Sequence, residues 1–317
     1  MSKIKPRVSI GLPVYNGENF IRDALNSVLA QTFKDFELII SDNASTDATE
    51  EICREYATQD SRIHYYRQEQ NLGAAPNFNR VFELSQGEFF KWIAHDDTCS
   101  PTFLEEAVAI FDNNPDITLC YSKPKIINAQ SQAMDENDEL YDWVKDGKAS
   151  LNTDSPYPHK RFYEIFGSHP NYPIFGLIRA STLANISSQP LGSYSGADRV
   201  LLARISLCGR FYEFQEELMS FRRHTSQSIH ALLLHDSSYE YSLWFDTSNK
   251  EKIVLPLYSF ISEILYGINL APLSWGEKIF CYSQLTKPPF PLILKSMVKE
   301  LFIGGQLLLK RYTTKRF

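Results

Sequence analysis

Two rhythms of apolar and polar positions alternate over the first 125 residues. Val8 to Leu12 (VSIGL) is a short β-rich run. Behind it, apolar residues at Phe20, Ile21, Ala24, Leu25, Val28 and Leu29 recur at helical spacing and predict one buried stripe. Glu37 to Ser41 (ELIIS) predicts a second strand, Ile63 to Arg67 (IHYYR) a third, EFFKWIA a fourth and ITLCYS a fifth. Helices are expected between them. Asp47 and Glu50 have the spacing of a capping box, FNRVFELS opens a further helix, and Pro101 starts another that runs to about Asn113. This alternation builds βαβ units, and so an α/β fold with a mostly parallel sheet flanked by helices. Such sheets bind ligands at the carboxyl ends of their strands. The segments to read are therefore Pro13 to Asn16, Asp42 to Ser45 and His95 to Thr98.

Beyond residue 125 the pattern weakens. Residues 126 to 160 are polar and read as a long loop or lid. Order resumes in RFYEIF and NYPIFGLIRASTL. GADRVLLARISLCGRF predicts a helix ending at Gly209, and FYEFQEELMSFRRH a strand or two. After about residue 230 the alternation stops and the chain reads as helical and apolar. The division expected is an α/β domain over 1–230, in halves 1–125 and 126–230, then a helical extension over 231–317.

Composition narrows the class. The 317 residues carry a net charge of −6, which argues against a nucleic-acid partner held by bulk charge. Five scattered cysteines without a CxxC pair suggest neither a zinc knot nor a disulfide framework. The N-terminal segment reads as a first strand rather than a signal peptide, and no apolar run nears the roughly 20 residues that span a bilayer. A cytoplasmic protein is expected, with room for peripheral contact on the inner membrane face.

The chemistry concentrates in FFKWIAHDDTCSP. Two adjacent acids, Asp96 and Asp97, end an apolar strand. Their repulsion and lost solvation call for a cation or ligand, unless they merely cap the helix after Pro101. A divalent ion held by one or two carboxylates would meet that need. No GxGxxG and no GxxxxGK[ST] is present, which excludes the usual dinucleotide and P-loop sites.

Four segments in order resemble family 2 glycosyltransferases of the GT-A fold, the nucleotide-diphospho-sugar transferase architecture. They are VSIGLPVYNGENFIRDALNSVLAQTFKDFELIISDNASTD, NLGAAPNFNRVFELSQGEFFKWIAHDD, GADRVLLARISLCGRF and SFRRHTSQS. The resemblance covers roughly residues 7 to 230. It implies an inverting, metal-dependent transfer of a sugar from a UDP- or dTDP-type donor to a saccharide or lipid-linked acceptor, in bacterial surface polysaccharide synthesis. It makes Asp97 the ligand of Mn²⁺ or Mg²⁺ and Asp96 the ribose-side acid. Asp42 would meet the base, with Pro13, Tyr15 and Asn16 lining the pocket. An Asx turn at Asp42 is compatible with that role. His224 would approach the metal or diphosphate, and Arg222 or Arg223 would add positive charge. Asp198 would be the base that deprotonates the acceptor, unless it only caps its helix. Gly196 would let the backbone approach that acceptor. Glu217 or an acid within 135–142 is the substitute base. His64 and His95 read as structural.

The match has gaps. Ala197 stands where many relatives carry Glu, and Ala94 where longer metal motifs carry an extra acid. Competing readings are a sugar nucleotidyltransferase, disfavoured by the single glycine of LPVYNGEN, and a non-catalytic nucleotide-sugar binder or scaffold protein. Residues 287 to 317 hold seven Lys or Arg and one Glu among apolar clusters. They read either as a basic amphipathic surface that docks on anionic lipid or as a helix packed on the domain. Pro288, Pro289, Pro291, Gly304 and Gly305 are expected to interrupt any long helix there.

Overall fold

The computed structural model describes residues 5–134, 151–168, 172–225, 227 and 238–314. Its first half follows the predicted alternation: β1 (Val8–Val14), α1 (Ile21–Leu29), β2 (Phe36–Asp42), α2 (Thr49–Gln59), β3 (Ile63–Arg67), α3 (Ala74–Glu83) and β4 (Phe89–Trp92). Then come β5 (Thr98–Cys99), α4 (Phe103–Asn113), β6 (Ile117–Ile127), α5 (Pro158–Ser168), β7 (Leu177–Arg179), α6 (Ala180–Ile186), α7 (Ala197–Cys208) and β8 (Arg210–Arg222). Helices α8 (Ser238–Phe245), α9 (Pro256–Leu270), α10 (Trp275–Gln284) and α11 (Phe290–Thr314) complete the chain.

One eight-stranded sheet runs in the order β3-β2-β1-β4-β7-β6-β8-β5. Strands β3, β2, β1 and β4 are parallel neighbours, so their carboxyl ends share one edge. Only the short strands β5 and β7 run against the rest. The period-2 alternation sorts side chains to two cores. Val8, Ile10, Leu12 and Val14 of β1 face a core closed by α1, α2 and α4. Phe90 and Trp92 of β4 face a second core with α3, α5, α7 and α9. The C-terminal helices join this second core through Ile264, Cys281 and Met297.

Three local expectations are revised. Asp47 and Glu50 do not form a capping box: Ala48 is the N-cap of α2 without a side-chain bond, and Glu50 pairs with Arg54 and Arg67 instead. Nor do the tail's prolines and glycines break its helix. Pro288 and Pro289 precede α11, Pro291 sits in its first turn where no intrahelical donor is lost, and the helix passes unbroken through Gly304 and Gly305. The region read as a loop after 126 begins with the end of β6 and a turn from Asn128 to Gln132. It ends where α5 starts at Pro158.

A buried glutamine fixes the entry to α4. Gln31 follows α1 in the segment SVLAQT and is fully buried. Its Nε2 donates to the Ser100 carbonyl at 2.6 Å, and its Oε1 accepts from the Leu104 N–H at 3.0 Å. Thr32 N–H donates to the Pro101 carbonyl at 2.8 Å. The helix start is thus capped from another element, and Asp96 and Asp97 are left free of that task. Gln31→Leu keeps the volume but orphans both buried groups. It is expected to cost about 1–3 kcal/mol for each group, read as a lower urea midpoint with an unchanged m-value.

Candidate active site

The ends of β1 and β2 turn through two tight loops that lock onto each other. Asn16 and Ala44 take left-handed backbone angles, φ 52° and 63°. Asn16 N–H donates to Ser45 Oγ at 2.9 Å, and Asn16 Oδ1 accepts from Thr46 N–H at 2.8 Å. Glu18 N–H donates to Asp47 Oδ2 at 3.0 Å, while Ala48 N–H donates to Glu18 Oε2 at 2.9 Å. Asn16 is therefore a stitch between loops, and Glu18 and Asp47 clasp each other's backbone. Pro13 is buried at the strand end, and Tyr15 stands 44% exposed beside it.

Asp42 is fully buried. Its Oδ1 accepts from Ser45 N–H at 2.8 Å, three residues on and so one further than the expected Asx turn. Its Oδ2 accepts from Tyr65 Oη at 2.6 Å and Arg67 Nη1 at 2.8 Å. Burial and the neighbouring carboxylate push the Tyr65 hydroxyl pKa up. Arg67 also donates to the Ser45 carbonyl at 2.9 Å. Behind it, side-chain amides form a lattice. Asn43 donates to Asn71, Gln68 donates to Asn43 and Asn77, and Asn77 donates to the Ser41 carbonyl. This lattice fixes the loop after β3 over the strand ends. Sequence reasoning passed over Tyr65 and Arg67, although both lie in the predicted third strand, two and zero residues from its carboxyl end.

The acid pair is pinned to the end of β8. Arg222 N–H donates to Asp97 Oδ1 at 3.0 Å, and Arg222 Nε donates to the Asp96 carbonyl at 2.8 Å. His224 Nε2 lies 3.1 Å from Asp96 Oδ2, and Gln227 Nε2 donates to the same oxygen at 3.4 Å. Burial opposes the charge on Asp96, yet the His224 hydrogen bond and the nearby histidines hold its pKa down at about 2. Asp97 has the opposite balance. Burial first, then the charge of Asp96, raise its pKa well above the usual carboxylate range. Burial lowers the pKa of the Arg223 guanidinium, which the charges of Asp97 and Asp96 draw back up.

Arg222 does not fill the role expected of it. Its side chain is 0% exposed. The guanidinium pairs with Asp23 at 2.8 Å, donates to the Asn128 and Ala129 carbonyls and Ser131 Oγ, and lies over the Phe20 ring. With its donors spent inside the protein, Arg222 is a buttress for the acid pair, and Arg223 is the basic group left beside the acids. His95 is more than filler. It packs so closely on Gly17 that a Cβ there would sit 2.7 Å from the ring, and its charge acts on Asp96. Phe20 stacks on His224 with ring centroids 4.5 Å apart. The loop from Tyr15 to Phe20 therefore touches the acid pair's surroundings as well as the β2 turn, joining both into one site.

Asp198 lies in the first turn of α7, whose N-cap is Gly196 and carries no side-chain cap. Burial raises its pKa, which makes the carboxylate more basic. Gly196 has φ +83°, and a Cβ there would sit 3.2 Å from the Phe260 ring of α9. Glu217 is exposed on β8, and the acids within 135–142 lie outside the described residues.

Among the described residues, no three His, Cys, Asp or Glu side chains converge as metal ligands. The fit to a divalent ion rests on other ground. Asp97 is a buried carboxyl beside a charged one, and His224 Nδ1 is buried without a partner among the described residues. One or two protein carboxylates, with water and phosphate oxygens, suit such an ion.

Residues 9–180 match the family model Glycosyl transferase family 2. The chain belongs to that family. A family 2 relative, an uncharacterized glycosyltransferase of Rickettsia typhi, is 35% identical over 131 residues, 41% of this chain and 40% of the relative. The putative teichuronic acid biosynthesis glycosyltransferase TuaG of Bacillus subtilis is 39% identical over 106 residues, 33% of this chain and 42% of the relative. The matches thus span about two fifths of these relatives' lengths. Staphylococcus aureus TarS 1–349, crystallised with UDP-GlcNAc, has the same fold at TM-score 0.62 and 19% identity, covering 89% of this chain and 72% of that one. The architecture is the GT-A fold.

A lysine lies in the core below this family 2 site. Lys91 of β4 is fully buried, with Nζ on the Phe175 carbonyl, 3.4 Å from Met219 Sδ and 4.7 Å from the Phe103 ring centroid. Burial pushes its pKa down to about 8. The unfolded chain keeps this proton to its ordinary value of 10.5. Between pH 8 and 10.5 the unfolded state binds more protons, so stability from this group rises with pH. The stability of wild type relative to Lys91→Met is expected to increase across that window, by at most about 3 kcal/mol. Urea titrations of both proteins at pH 7.5, 9 and 10.5 measure it, and a flat difference would contradict it.

Proposed function

We propose that the chain is an inverting glycosyltransferase that uses a divalent ion and a UDP- or dTDP-linked sugar. The observation that carries this reading is the pair Asp96–Asp97, buried at the shared carboxyl edge and held by His224 and the end of β8. Two such acids are costly unless a cation neutralises them. Mn²⁺ or Mg²⁺, bound through Asp97, supplies charge to stabilise the departing diphosphate. Asp96 takes the ribose side, and its bond to His224 orients that imidazole. Arg223 adds positive charge next to the acids. Asp42, with Arg67 and Tyr65 around it, shapes the base end of the pocket, where Tyr15 offers an exposed ring for stacking. Asp198, with its raised pKa, accepts the acceptor hydroxyl's proton as that oxygen attacks the anomeric carbon.

The acceptor is a saccharide or a lipid-linked saccharide in a surface polysaccharide. The names of TuaG and of the putative glycosyltransferase EpsH, both of Bacillus subtilis, support that setting. The TarS complex with UDP-GlcNAc supports a UDP-type donor.

Calorimetry tests the donor site. UDP and dTDP are titrated with Mn²⁺, Mg²⁺ or EDTA into wild type, Asp97→Asn and Asp198→Asn. Wild type is expected to bind one nucleotide in a metal-dependent way. Asp97→Asn should weaken that binding at least tenfold, and Asp198→Asn should leave it unchanged while abolishing transfer. Equal binding with EDTA and in Asp97→Asn would remove the metal from the mechanism.

A further inference from the structure

The exposed apolar surface of this chain is gathered in its last three helices. Twelve of the seventeen large apolar side chains that are exposed among the described residues lie between Tyr258 and Phe302. On α10, Trp275 is 73% exposed, and Ile279 follows one turn later on the same face, with exposed Phe280 on its flank beside His159. On α11, Val298 and Phe302 are each 70% exposed, with Leu294 one turn before them. Helix α9 packs against both and adds Tyr266 and Leu270. An apolar region of this extent marks an interaction site rather than ordinary surface.

The charges around it select the partner. Lys295 and Lys299 edge the apolar arc of α11, one turn apart, and Lys278 lies over the Trp275 ring. The segment 287–317 holds seven lysines and arginines and one acid, in a chain whose net charge is −6. That acid, Glu300, is turned inward. Its carboxylate accepts from Leu257 and Tyr258 N–H at 3.0 and 3.2 Å, capping α9. This bond also fixes which side of α11 faces out. Helix α11 holds no other acid beside its lysines, and on the adjoining helices Glu263 is paired with Arg204 and Glu277 is tied to Ser274. Two copies of this face would repel, so charge complementarity disfavours a self-pairing surface. Tyrosine and tryptophan at its border are side chains that favour the level of lipid headgroups. No helix among the described residues is long and apolar enough to cross a membrane.

We propose that α9, α10 and α11 form one face that lies on an anionic lipid surface, with the apolar side chains at the acyl boundary and the lysines at the phosphates. The inference does not depend on the donor or the metal. It gives the transferase a fixed orientation towards whatever the membrane presents.

Co-sedimentation of the full chain with vesicles tests it. Phosphatidylcholine alone is compared with phosphatidylcholine mixed with phosphatidylglycerol, at low and high salt. Wild type is expected to bind the anionic vesicles and to release them in high salt. Lys295→Gln/Lys299→Gln should weaken this at least tenfold. Val298→Ser/Phe302→Ser should weaken it as well, and because these side chains are exposed, both variants should keep the wild-type melting temperature. No vesicle binding by wild type overturns the proposal, as does binding that neither variant changes. A dimer in sedimentation velocity that both variants dissociate, without vesicle binding, would assign the face to a second copy instead.

Discussion

Two carboxyls side by side out of water repel each other, and the protein around Asp96 and Asp97 is arranged to bear that cost. The backbone of Arg222 holds one acid and its side chain holds the carbonyl of the other. The same guanidinium reaches Asp23 on α1 and the turn after β6. A single buried cation therefore ties the ends of β4, β6 and β8 to the first helix. The acids are split in character rather than equalised: His224 keeps Asp96 charged, and Asp97 is left with a raised affinity for a proton. That asymmetry is what a site needs if one acid is to bind an ion and the other to stay an acceptor of hydrogen bonds.

Most of the fold was legible because its signals are local. IHYYR is β3 to the residue, and Ile21, Ala24, Leu25 and Val28 of the predicted stripe are the buried face of α1. Strand β5 was not legible. It has two residues and exists only because β8 lies next to it. The length of β8 and its bulge opposite Ser122 likewise depend on a partner far away in sequence.

The site was legible by residue type more than by role. Asp42, Asp96, Asp97 and His224 all lie where strand ends converge. Arg222 was misread because sequence shows a charge but not its burial, and an arginine with every neighbour supplied by distant segments looks the same as a free one. Gln31 teaches the same lesson in reverse. It is part of a segment that resembles the family's, and its amide is spent on the start of α4. Arg67 and Tyr65 were missed because their partner, Asp42, lies on a neighbouring strand.

Glu300 links two ends of the helical region across 43 residues of chain, since its carboxylate caps the first turn of α9. The folded unit consequently extends into α11 through this hydrogen bond as well as through Met297 in the second core. A shortened chain that stops after α10 would look compact on paper. It would nonetheless leave the opening turn of α9 bare, and α9 carries Phe260 against Gly196 at the head of α7. Trimming the tail for solubility would thus reach the helix that bears Asp198, a position nearly a hundred residues upstream of the cut.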